Sequence, residues 1–160
     1  MRTNFPINKF HNIKTPFYYH DSGLLRDTLN IIYKETTKYK NYCIHYAIKA
    51  NSNPKILKII SQYGFGADCV SGGEIQAAID AGFPPSKIVY AGVGKSDWEI
   101  NLGLDNNIFC FNVESTAELE VINTLASQRN KVANVAFRIN PNIGAHTHAN
   151  ITTGLAENKF

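Results

Sequence analysis

The nine residues from His45 to Asn53, HYAIKANSN, hold an apolar run, a lysine, and then residues suited to starting a helix. The run from Tyr42 to Ile48 is rich in the aromatic and β-branched side chains that fit a buried strand. Asn51, Ser52 or Asn53 can offer a side-chain oxygen to free helix N–H groups, and Pro54 suits a first helical turn. The stretch therefore reads as a strand passing directly into a helix. It also poses a chemical question, because an ammonium closing a buried strand is costly unless it is paired or loses its charge. Lys49 either escapes to water, the commoner outcome for a lysine at such a place, or its amine has a use.

The same joint recurs along the chain. FGADCVS, KIVYAG, IFCFNVES and NVAFRIN are further strand-like runs, and all but the last lead into a segment compatible with a helix. Three of these helix starts carry a serine followed three residues later by glutamate: Ser71 with Glu74, Ser96 with Glu99, and Ser115 with Glu118. That spacing is the capping box, in which serine accepts from the backbone three residues on and glutamate reaches back. Gly64 supplies a stop for the helix after Lys49, and Gly82 one for the helix that starts at Ser71. Upstream, SGLLRDTLNIIYKETTKY places Leu25, Leu29 and Ile32 on one helical stripe. Ser22 is the expected cap, and one face should pack on a sheet. Residues 1–15 read as an irregular lead-in and 16–160 as one structural region.

Helix-length connections return the chain in the same direction, so the five strands should form a parallel sheet in an α/β fold. Their nearly continuous apolar character suits strands covered on both faces. An open doubly wound sheet and a (β/α)₈ barrel both fit this order. No glycine-rich dinucleotide fingerprint and no nucleotide-binding acid follow the first strand, which weakens the former. Five strands are too few to close an eight-stranded barrel.

Composition narrows the function. The chain has 160 residues, 44% hydrophobic and 18% charged, as in ordinary globular domains. A formal charge of +3 with scattered Lys and Arg leaves no footprint for nucleic acid. Cys43, Cys69 and Cys110 lack zinc or redox spacing and read as free thiols buried in strands. With no apolar run long enough to span a membrane and no signal-peptide core in MRTNFPINKFHNIKTP, a cytoplasmic protein is expected.

Polar residues gather where strands end and helices begin, the rim at which both architectures bind ligands. Lys49, Asn51, Asp68, Ser71, Lys95, Arg138 and Asn140 fall there. GVGKS, Gly92–Ser96, imitates the end of a phosphate-binding loop, but the required first glycine is Val89, inside a strand. Gly92 and Gly94 then read as permitting a tight strand-to-helix turn and Ser96 as a cap, while Lys95 on the rim could as easily be solvated. His146 and His148 sit two apart in a loop bracketed by Pro141, Gly144 and Gly154, with no further metal ligands nearby. A lid over the rim suits them better than a metal. For Lys49 to act on a carbonyl, its amine would have to be desolvated, and so neutral, within the rim.

These segments together resemble a known family. YAIKANSN is similar to the lysine motif of fold-type III pyridoxal-phosphate enzymes, the alanine-racemase-like barrels, most closely in its diaminopimelate decarboxylase branch. ADCVSGGEIQAAIDAGFPPSKIVYAGVGKSDWEI, FNVESTAELEVIN, FRINPNIGAHTH and TGLAENKF continue the resemblance in order from Thr15 to Phe160. It implies a partial (β/α)₈ barrel that binds pyridoxal 5'-phosphate covalently through Lys49, with Asp68 and Arg138 lining the cofactor and Glu74 as a supporting acid. The plain alternative for Asp68 and Arg138 is an ion pair at the rim. His146 and His148 match the active-site loop, and Lys159 the lysine of an NKFG segment. The implied reaction is decarboxylation of an amino-acid substrate, meso-diaminopimelate, to L-lysine. A homodimer is implied for the full-length enzyme.

A complete barrel takes about 250 residues, so the chain reads as an N-terminal portion, and its decarboxylation in isolation is not expected. With an open sheet edge, such a portion should associate or aggregate. Arginine, ornithine or carboxynorspermidine decarboxylases are alternative relatives, as is a non-catalytic regulatory protein; retention of Lys49 weighs against the last.

Overall fold

Each joint legible in the sequence becomes a strand followed by a helix, and the order of the strands separates the two architectures. The structure, a computed structural model, describes residues 5–140 and Asn142. The strands are β1 (His45–Ala47), β2 (Gly66–Cys69), β3 (Ile88–Tyr90), β4 (Cys110–Val113) and β5 (Val135–Phe137). They form one sheet in the order β1-β2-β3-β4-β5, every pair parallel. A doubly wound sheet reverses its strand order at a switch point, whereas this sheet advances one strand at a time, as a barrel does. Right-handed crossovers then place successive helices on one face.

Those helices are α3 (Pro54–Ser61), α4 (Gly72–Asp80), α5 (Asp97–Asp105) and α6 (Thr116–Gln128), which follow α1 (Ile7–Phe10) and α2 (Ser22–Thr36) in the chain. α4 packs on β2 and β3, α6 on β4, and α5 lies between α4 and α6. Asn53 caps α3 by accepting from Lys55 N–H, with Pro54 in the first turn. Gly64 and Gly82 end their segments at φ of +72° and +91°, backbone that glycine adopts without strain. The boxes depart from the expected pattern in two of three cases. Ser71 and Ser115 accept from Glu74 and Glu118 N–H at 3.2 Å, but the glutamates reach one residue further back, to Val70 N–H at 2.7 Å and Glu114 N–H at 2.9 Å. Each thus ties the strand end to the helix.

Burial alternates along the strands. Ala67 and Cys69, Ile88 and Tyr90, and Phe111 and Val113 are buried, while Asp68, Val89 and Asn112 between them are half-buried. Among the described residues the apolar core forms on the helix side, with Ile48, Leu57, Ile75, Ile88 and Ile100 fully buried, and the other face carries Asp68, Val89 and Asn112. Cys69 and Cys110 are buried free thiols as expected, but Cys43 is exposed because it precedes β1 rather than lying in it.

The chain divides into two compact units, Met1–Tyr42 and Cys43–Phe160. In the first, the lead-in is more ordered than its sequence suggests. α1 forms one turn, and Phe10 sets its ring 5.1 Å from Tyr19 and 5.3 Å from Phe17, with Phe5 6.1 Å from Tyr19. Asp21, not Ser22, caps α2, accepting from the N–H groups of Gly23 and Leu24. Leu29 on the expected stripe is buried. Among the described residues no helix is long and apolar enough to cross a membrane.

Glu99 links two helix starts in the second unit. It is 9% exposed, accepts from Gly72 N–H at 2.7 Å through one oxygen, and takes the Ser96 N–H at 3.0 Å and hydroxyl at 2.7 Å through the other. Burial alone would raise its pKa, but these donors and the Tyr90 hydroxyl outweigh that and draw it from 4.5 down to about 2. A depressed carboxylate stabilises the fold above its unfolded pKa and loses that contribution as pH falls towards the folded one. Glu99→Gln should therefore cost about 2 kcal/mol at neutral pH. In urea unfolding from pH 7 to pH 2.5, the gap between wild type and variant should close below about pH 4.5.

Gly66 gives a steric prediction. A Cβ there would lie 2.3 Å from the Lys87 carbonyl oxygen and 2.6 Å from His45 Nδ1. Since a backbone atom cannot give way cheaply, Gly66→Ala should lower stability by about 3 kcal/mol in the same assay.

Candidate functional site

The strand that opens the second unit ends sooner than expected. β1 stops at Ala47, and Ile48–Ala50 form a single 3₁₀ turn closed by Asn51 N–H donating to Ile48 O at 3.1 Å. The turn separates neighbouring side chains: Ile48 is fully buried, while Lys49 is exposed and lines a cavity. Lys49 therefore reaches the rim as expected, but the apolar neighbours in the strand do not enclose it. Tyr46 steadies the turn by donating its hydroxyl to Asn51 O at 3.2 Å, and Asn51 Oδ1 accepts from Asn53 N–H at 3.0 Å.

The cavity, about 450 Å³, spans the C-terminal rim of the sheet. Its lining includes Lys49 after β1, Asp68 on β2, Gly92 after β3, Asn112 on β4 and Arg138 after β5. Register explains two of these. Asp68 pairs with Ala47 on the neighbouring strand and Asn112 with Ala136, all on the half-buried or exposed face. Beside Asp68, burial and then the Glu74 and Asp68 carboxylates push the Cys69 thiol up to about 12, which leaves it protonated and unreactive. Glu74 is occupied at the Val70 N–H, a supporting place rather than a lining one.

Asp68 and Arg138 do not form the ion pair offered as their plain alternative. The carboxylate that meets Arg138 is Glu114, whose Oε1 lies 3.1 Å from Arg138 Nη1 and also accepts from Gly92 N–H at 2.9 Å. Glu114 and Asn112 were missed in the sequence reading, although a signal was there: each is a polar residue within or closing an otherwise apolar strand, as Lys49 and Asp68 are.

For Lys95, on the rim but with solvent an open alternative, the structure decides: its side chain is 1% exposed and donates to Gly92 O at 2.6 Å and Asn112 O at 2.9 Å, with Glu118 Oε1 at 2.6 Å and the Tyr90 ring centroid at 5.2 Å. Carbonyls at two strand ends and a carboxylate compensate the buried charge. Gly92 turns the chain there at a φ of +117°. Ser71 serves as a cap, and Asn140 accepts from Asn142 N–H at 3.0 Å. His146, His148 and Lys159 lie outside the described residues.

The chain is 69% identical over its whole length to a diaminopimelate decarboxylase of Bacteroides thetaiotaomicron, and 50% identical over 151 residues to one from Helicobacter pylori. It spans 42% and 37% of those two proteins, about two fifths of their length. The crystal structure of a Helicobacter pylori diaminopimelate decarboxylase complexed with L-lysine superposes with a TM-score of 0.86 at 47% identity, covering 96% of this chain and 39% of that one. A chlorella virus arginine decarboxylase is more distant, with a TM-score of 0.68 at 27% identity, covering 83% of this chain and 35% of that one. Residues 29–160 match the family described as pyridoxal-dependent decarboxylase, pyridoxal binding domain, and the chain belongs to that family.

Proposed function

We propose that this chain supplies the lysine-bearing part of a pyridoxal-phosphate-dependent decarboxylase that converts meso-diaminopimelate to L-lysine and CO₂. The observation that carries the reading is Lys49, set by a 3₁₀ turn at the mouth of a 450 Å³ cavity with Asp68 and Arg138 in the same lining. The identity of 69% to a diaminopimelate decarboxylase, against 27% to an arginine decarboxylase, supports the substrate over its alternatives. The chain's share of its relatives makes this an activity of the full-length protein. Three free cysteines suit a reducing cytoplasm, and a homodimer belongs to the same proposal.

The residues present fit the cofactor. The volume lies in the range of about 300–1,000 Å³ common for small-molecule sites. The donor set also matches, with a primary amine for an aldehyde, a carboxylate, and a guanidinium able to donate in a plane. When bound, pyridoxal phosphate supplies an electron sink for the pair left by departing CO₂. Lys49 Nζ would hold the aldehyde carbon and leave it when the substrate amine takes its place. Asp68 and Arg138 would fix the ring in the cavity. Lys95 takes no part, since its ammonium is held by Glu118 and two carbonyls.

Borohydride reduction of the full-length protein with pyridoxal phosphate, followed by peptide mapping, should mark Lys49 and leave Lys95 unmodified. Lys49→Ala should lower lysine formation from meso-diaminopimelate by about a thousandfold or more. Label confined to another lysine, or full turnover in the variant, would remove the assignment.

A further inference from the structure

Glu114 stands just behind the cavity and does not line it. Its side chain is 3% exposed, and its Oε1 receives both the Gly92 N–H and Arg138 Nη1. The two contacts differ in kind. Gly92 offers a backbone donor fixed by the turn after β3, whereas Arg138 sits on a long side chain that is 38% exposed and carries large rotamer freedom. The rigid contact locates the carboxylate, and the carboxylate then locates the guanidinium. A planar guanidinium that donates to a located carboxylate has its plane constrained, which confers orientation as well as attraction. The carboxylate also neutralises the arginine charge locally, so what Arg138 presents to the cavity is directed hydrogen bonding more than surplus charge.

We infer that Glu114, braced by the Gly92 N–H, is a positioning residue that orients Arg138 towards the ligand in the cavity without touching that ligand. This rests on the proposed cofactor site, and the two can fail separately.

The test is a double-mutant cycle in the full-length protein, read by the dissociation constant for pyridoxal phosphate from its absorbance and fluorescence changes, with thermal melting followed alongside. Arg138→Ala should weaken binding about tenfold, and Glu114→Ala nearly as much. Because Glu114 acts through Arg138, the double variant should bind within about twofold of Arg138→Ala alone. If Glu114→Ala does not fold, Glu114→Gln, which keeps the shape and one acceptor oxygen, completes the cycle with a smaller but equally non-additive loss. Unchanged affinity in the foldable Glu114 variant, or losses that multiply in the double variant, would overturn the positioning role and leave the cofactor site standing. Unchanged affinity in Arg138→Ala would overturn both the lining role of Arg138 and the positioning role. A wild-type protein that takes up no pyridoxal phosphate would overturn the cofactor reading itself.

Discussion

The strand order is the constraint on which the rest depends. When each parallel strand lies beside the one before it, and each crossover is right-handed, every helix lands on the same face. That face receives the branched apolar side chains and becomes the core. The opposite face is left with Asp68, Val89 and Asn112, half-buried, and the rim above it collects whatever residues connect strand to helix. A doubly wound sheet of similar strands would place its ligand at a single reversal point. Here five successive strands and their ends contribute to one cavity, so its chemistry is assembled from single residues far apart in sequence.

The joints are mechanically coupled by carboxylates. Glu74 and Glu118 each reach across a serine cap to the N–H of the residue before it, so a helix start and the preceding strand end cannot separate independently. Glu99 does the same between α4 and α5, and Glu114 between the loops after β3 and β5. Helix N-termini favour negative charge, which makes glutamate well suited to these places. The same residues that start helices therefore also hold the rim in shape.

Much of this was legible in the sequence because it is local. Strand composition, Pro54 at a first turn, Gly64 and Gly82 at stops, and serine–glutamate spacing are all decided within a few residues. What was not legible depends on partners distant in the chain. The order of the strands, which separates the two architectures, is not encoded in their composition. The aromatic grouping of Phe10, Phe17 and Tyr19 in the lead-in has no periodicity to announce it. The cap of α2 moved by one residue, to Asp21, because both neighbours are competent caps and only backbone geometry chooses between them. At the site, Lys49, Asp68 and Arg138 line one cavity, while Glu114 was marked in the sequence only by its place at the end of an apolar strand.

Lys49 and Lys95 show why residue type and local context are insufficient for chemistry. Each follows an apolar strand, each sits close to a helix start, and Lys95 even lies in the more conspicuous motif. Their difference is one of compensation. Lys95 is surrounded by two carbonyl oxygens, a carboxylate and an aromatic face, so its side chain is committed to holding the turn. Arg138, a further cation among the described residues at the rim, donates to Glu114. Among the described residues Lys49 enters no ion pair, so it is the rim amine least committed to structure. The glutamates thus do more than brace the loops: among the described residues they occupy Lys95 and Arg138 and leave Lys49 outside any ion pair.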